Sequence, residues 1–146
     1  MNRQSGLTLL ELLGVLALIG IAVAAVAVRM QSSGNPLDVS TSLLEGEFRA
    51  ARLNAIATMS SYRVSPATPT TLRAEKAATC SATTWTVDSN FNNALSTGVT
   101  MSPSSWSVCY SSRGIATANV VVTLAHSQYG SRRVEVLVGG ASRVLP

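Results

Sequence analysis

The chain has 146 residues, 47% of them hydrophobic but only 5% aromatic and 12% charged, and a formal net charge of +4. That length holds one modest domain plus an appendage, and the charged fraction is about half of the roughly 25% usual in globular domains. The small positive excess, all arginine apart from Lys76, does not by itself mark a nucleic-acid binder. The two cysteines, Cys80 and Cys109, lie too far apart for CxxC zinc or redox patterns. They make one disulfide in an exported domain and two buried thiols in a cytosolic one.

The first feature in chain order is an almost unbroken apolar run over residues 7–28, interrupted near its start by Glu11. As a helix it extends about 33 Å, enough to cross a hydrocarbon core of about 30 Å. A short leader carrying Arg3 precedes it, and Arg29 follows. The alanine-rich residues 22–27 imitate the A-x-A site of a cleaved secretory signal, so cleavage there is one reading, leaving a lone ectodomain. Glu11 argues for another. A carboxylate inside a bilayer helix costs roughly 2.5–3.5 kcal/mol or more, so it needs a partner. A free α-amine is such a partner, and one arises near Glu11 if the chain is cut just before Leu7. Glu11 of one subunit then meets the Leu7 amine of a neighbour.

Gly6 followed by Leu7-Thr8-Leu9-Leu10-Glu11 resembles the type III signal of type IV pilins and pseudopilins, with Leu7 where that family usually has Phe. The resemblance implies that a prepilin peptidase cuts after Gly6 and methylates the new N-terminus at Leu7. It implies that Glu11 takes part in filament assembly. The organisation expected is a leader peptide over 1–6, a transmembrane and filament-core helix over 7–30, and a periplasmic α+β domain over 31–146. The protein is then a single-pass component of the bacterial inner membrane, with its C-terminal domain periplasmic or, in the filament, extracellular.

Gln31-Ser32-Ser33-Gly34-Asn35-Pro36 is a break, because Gly and Asn-Pro are turn signals and the residue before Pro avoids helix. Ser42-Leu43-Leu44-Glu45 fits a capping box. Leu44, Phe48, Ala51, Ala55 and Met59 then recur at helical spacing, which predicts a helix from about Ser42 to Ser60 with one core-facing stripe. After Tyr62 the period changes to two. Trp85 and Val87, then Trp106, Val108 and Tyr110, then Val120, Val122 and Leu124, then Val134, Val136 and Val138 alternate with other residues, as half-buried antiparallel strands do. Gly114, Gly130 and Gly139-Gly140 punctuate them. Residues 65–71 and 89–97 read as loops. A helix followed by strands is an α+β layout, the helix covering one face of an antiparallel sheet.

The domain also resembles one branch of the pseudopilins, the GspH/FimT family, in three places. Leu44-Glu45-Gly46-Glu47-Phe48-Arg49-Ala50-Ala51-Arg52-Leu53-Asn54-Ala55-Ile56 is similar to its first helix. Ser111-Ser112-Arg113-Gly114 is similar to its mid-domain strand and turn. Arg132-Arg133-Val134-Glu135-Val136-Leu137-Val138, running on to Arg143-Val144, is similar to its closing hairpin. Some relatives bind DNA through a C-terminal arginine patch, which makes Arg132, Arg133 and Arg143 the candidate DNA-binding residues here.

No catalytic constellation is present, and no enzyme activity is expected. His126 is the sole histidine, which rules out a multi-histidine metal site; a structural role is the expectation. There is no G-x-S-x-G. Asp38, Glu45, Glu47, Glu75, Asp88 and Glu135 are scattered, whereas calcium needs six to eight oxygens. No Gly-rich loop joins a strand to a helix, so no cofactor is expected. The function expected is that of a minor pilin or pseudopilin that primes or caps a type IV pilus or type II secretion pseudopilus. Its expected partners are other pilins, prepilin peptidase and the inner membrane. The alternative is a DNA-binding tip pilin for natural transformation.

Overall fold

The computed structural model describes residues 13–20, 34–91 and 93–145. Residues 13–20 form a helix, α1, within a first unit, Met1–Gly34; the second unit is Asn35–Pro146. The large apolar side chains of α1, Leu13, Val15, Leu16, Leu18 and Ile19, are all exposed. A helix apolar all round is stable only when lipid or other helices cover it. Among the described residues no helix is long and apolar enough to cross a membrane. The expected spanning run, residues 7–30, lies largely outside them.

The second unit opens on α2, Pro36–Ala57, which starts earlier than the expected Ser42. Asn35 is the true N-cap: its backbone is extended, its Oδ1 accepts from the Leu37 amide at 3.0 Å, and Pro36 takes the first helical position. Proline there loses only an amide that has no helical partner. The Asn-Pro pair is therefore the start of the helix as well as the end of the break. Ser42 and Glu45 lie inside the helix, where Glu45 pairs with Arg49 at 3.0 Å instead of closing a capping box. At the other end Thr58 is the C-cap. Met59 follows with φ 50°, and the amides of Met59 and Ser60 reach the carbonyls of Ile56 and Ala55. These bonds form a Schellman motif. It turns Met59 outward, 83% exposed, so Met59 does not extend the core stripe as its spacing predicts.

The strands form two four-stranded antiparallel sheets. One contains β1 Ser61–Thr68, β2 Thr71–Ala77, β3 Thr86–Val87 and β5 Val108–Tyr110, in the order β3-β2-β1-β5. The other contains β4 Val99–Ser102, β6 Val120–His126, β7 Gly130–Val136 and β8 Ser142–Leu145, in the order β4-β6-β7-β8. Residues 65–71, read as a loop, are mostly strand: Pro66 lies in β1 opposite Leu72, beside a register shift between Pro66 and Thr68. Proline is tolerated in a ladder at such an irregularity. Val87 is exposed because β3 is a two-residue edge.

Helix α2 packs on strands of both sheets. Its Leu37, Leu44, Phe48, Ala51 and Ala55 are fully buried, with Val64, Leu72, Val108 and Tyr110 from one sheet and Val122, Leu124, Val134 and Val136 from the other. Phe48 meets Trp106 edge-on at 5.6 Å. The helix thus spans two sheets rather than covering one.

Candidate functional site

The processing and assembly residues, Gly6, Leu7 and Glu11, lie outside the described residues. The cysteines do not: Cys80, just past β2, is bonded to Cys109 in β5, with Cα atoms 5.8 Å apart.

The closing hairpin forms around Gly139-Gly140, with Glu135 opposite Arg143. It does not gather the three arginines. Arg132 and Arg133 are consecutive in β7, so they point to opposite faces. Arg132 stands opposite Leu124 on the core-facing side, and its Nε lies 3.4 Å from Asp38 in the first turn of α2. Arg133 and Arg143 share the outer face, where Arg143 holds the Glu135 carboxylate through Nε at 2.7 Å and Nη2 at 2.6 Å.

The His126 ring packs at a tilt of 53° against Tyr129 with centroids 4.9 Å apart, accepts the Gln128 amide on Nδ1, and lies against Gly98. It is a packing residue. Among the described residues no group of three or more His, Cys, Asp or Glu is close enough to hold a metal ion. Glu47, half-buried on α2, is hydrogen-bonded by the Asn93 amide. Burial pushes its carboxyl up, and the Asn93 bond only partly offsets that.

A different pair of arginines comes together. Arg49 and Arg52 stand three apart on α2, on one face of the helix. With Gly140, Ala141 and Ser142 they line a cleft of about 220 Å³. Two turns meet at its floor. A Cβ on Gly140, φ 80°, would overlap the Gly114 carbonyl oxygen and come within 3.0 Å of the Arg52 Nε. A Cβ on Gly114, φ 73°, would lie 2.7 Å from Ile56 Cδ1. Arg52 is half-buried. Its charge opposes the upward push that burial gives the Tyr110 phenol. No acidic residue among the described residues pairs with it. The sequence signal for this site was the Arg-x-x-Arg spacing; the glycine turns that close it are remote in sequence.

Residues 1–27 match the family model described as the prokaryotic N-terminal methylation motif. No curated protein sequence matches the chain significantly. Among solved structures, the type IV minor pilin FimU of Pseudomonas aeruginosa superposes with a TM-score of 0.61 at 12% identity, over 79% of this chain and 92% of that one. The minor pseudopilin EpsH of the Vibrio cholerae type 2 secretion system superposes with a TM-score of 0.60 at 14% identity, over 76% and 97%. The chain joins a prepilin N-terminus to a minor-pilin fold. The α+β layout expected from the sequence is the pilin-like one, with two sheets in place of one. The prepilin signal accounts for the apolar segment, and the minor-pilin fold for the helix and strands behind it. Both matched proteins are described as a pilin or a pseudopilin.

Proposed function

We propose that this chain is a minor subunit of a type IV pilus or a type II secretion pseudopilus, made as a single-pass inner-membrane precursor with a periplasmic domain. Prepilin peptidase cuts it after Gly6 and methylates the amine of Leu7. The apolar helix then leaves the bilayer for the filament core, and the subunit primes or caps that filament. The observation that carries this reading is the methylation motif over residues 1–27, on a chain whose remaining residues have the fold of minor pilins. The physics agrees with it. A carboxylate in a bilayer helix costs roughly 2.5–3.5 kcal/mol, and the new amine of a neighbouring Leu7 relieves that cost only in correct register. Mass spectrometry of the mature protein tests the reading: the expected N-terminus is monomethylated Leu7, and a terminus among residues 22–28 would overturn it. In Glu11→Ala, membrane insertion should persist while filament incorporation falls by about tenfold or more, as expected for the loss of a desolvated ion pair.

The DNA-receptor reading has less behind it. Its three arginines divide between two faces of β7 and β8, and two of them already hold acids.

A further inference from the structure

We propose that the cleft between α2 and the β7–β8 turn receives a carboxylate side chain from a different subunit of the filament, anchored by Arg52 beside the Glu45–Arg49 ion pair. This rests on the filament reading above.

Four observations carry it. Arg52 is half-buried with no acidic partner among the described residues, and a guanidinium taken out of water is stabilised chiefly by a carboxylate in its planar fork. The site is built: Gly140 must be glycine for its turn to sit against Gly114 and Arg52. Exposed aliphatic side chains lie close in the chain to the cleft residues: Leu53 and Ile56 on α2, next to and four residues after Arg52, and Ile115 after Gly114. An arginine set among exposed aliphatic side chains is the composition of a protein interface. None of the cleft-lining residues is aromatic, so a nucleic-acid strand finds no stacking platform there.

The fourth observation concerns which protein supplies the acid. Every carboxylate among the described residues is already engaged. Asp38 pairs with Arg132, Glu45 with Arg49, Glu75 with Arg63 and Arg73, and Glu135 with Arg143. Glu47 accepts from Asn93, and Asp88 from Tyr62 and the Asn90 amide. Among its described residues a second copy of this domain offers only acids that already hold a partner, which favours a heterotypic contact.

The test uses the full chain expressed in its own cells, with the photo-crosslinker p-benzoylphenylalanine replacing the exposed Leu53 next to Arg52. The expected product joins this chain to an acidic segment of another filament subunit, mapped by peptide mass spectrometry. Arg52→Gln should reduce that product at least ~10-fold, the loss typical of an interface arginine anchor, and Arg52→Lys should restore part of it. Ala141→Trp fills the cleft while keeping both arginines and should abolish the same product, and an unchanged urea midpoint for Arg52→Gln separates the lost contact from a folding defect. A lysine at the mapped acid should rescue Arg52→Glu. A product unchanged in Arg52→Gln, a homodimer of this chain, or a DNA adduct overturns the inference. A chain present in pelleted filaments without the cross-link also overturns it, while sparing the filament reading. A chain absent from filaments removes both.

Discussion

Gly140 shows how much a single residue governs here. Its φ of 80° is one that L side chains adopt at a cost, and a methyl group there would run into the Gly114 carbonyl as well as crowd Arg52. Backbone cannot swing aside as the end of a lysine could. Gly140→Ala should therefore destabilise the domain by on the order of 2 kcal/mol or more, read as a fall in the urea midpoint without a change in slope. A loss below a few tenths would mean that the two turns do not touch. Glu47 works in the opposite direction. Burial raises its folded pKa above the unfolded one, so the folded state holds the proton more tightly. The stability this gives is present at acid pH and is lost as pH rises through the folded pKa, where a charge is forced into a half-buried site. Glu47→Gln keeps an acceptor for Asn93 and carries no charge. It should melt higher than the parent at pH 7, with the difference shrinking as the pH falls towards about 4, where a carboxyl takes up its proton. A constant difference across that range would exclude the charge as its cause.

At the scale of elements, the ends of α2 separate what could be read in the sequence from what could not. The buried stripe through Leu44, Phe48, Ala51 and Ala55 follows directly from helical spacing, because packing against a core repeats every 3.6 residues. The ends do not repeat. Asn35-Pro36 carries both a break and a start, and only the backbone path decides between them. Ser42 offered a rival cap that the longer helix overrides. Met59 stands where a helix usually closes on glycine, so composition gave no warning of a Schellman turn. Short strands divide: β3 and β5 fall within the alternation read at Trp85–Val87 and Trp106–Tyr110, whereas β4, four residues that alternate buried and exposed, follows closely on the 89–97 loop and was not read as a strand. The closing hairpin was readable, but its arginines were not, since the one-residue step from Arg132 to Arg133 sends them to opposite faces. Met59 also yields a prediction. An L residue at φ 50° bears roughly 1–2 kcal/mol of strain that glycine avoids, partly offset by glycine's greater freedom when unfolded. The side chain is exposed and makes no core contact that its removal would forfeit. Met59→Gly should stabilise the domain by about 0.5–1 kcal/mol by those same terms, checked by chemical denaturation. Destabilisation would show that Met59 serves the fold in some other way.

At the scale of the whole molecule, the disulfide links how the domain folds to where it can fold. Cys80 and Cys109 are 29 residues apart, and closing a loop of that length in the unfolded chain contributes about 3–4 kcal/mol on the chain-entropy account. A domain of this size has about 5–15 kcal/mol in total, so the bond supplies a large share. It also fixes β5, three residues long, to the segment beyond β2, and β5 is the edge that carries fully buried Val108 and Tyr110. With the entropy of unfolding expected for such a domain, Cys80→Ala/Cys109→Ala should melt roughly 15 °C below the oxidised parent. The parent treated with dithiothreitol should fall by a similar amount. A fall of under about 3 °C would mean that the two sheets and α2 suffice without the bond. A fall near the full value would mean that the domain reaches its working stability only where thiols oxidise. It would then complete its fold only beyond the reducing cytosol.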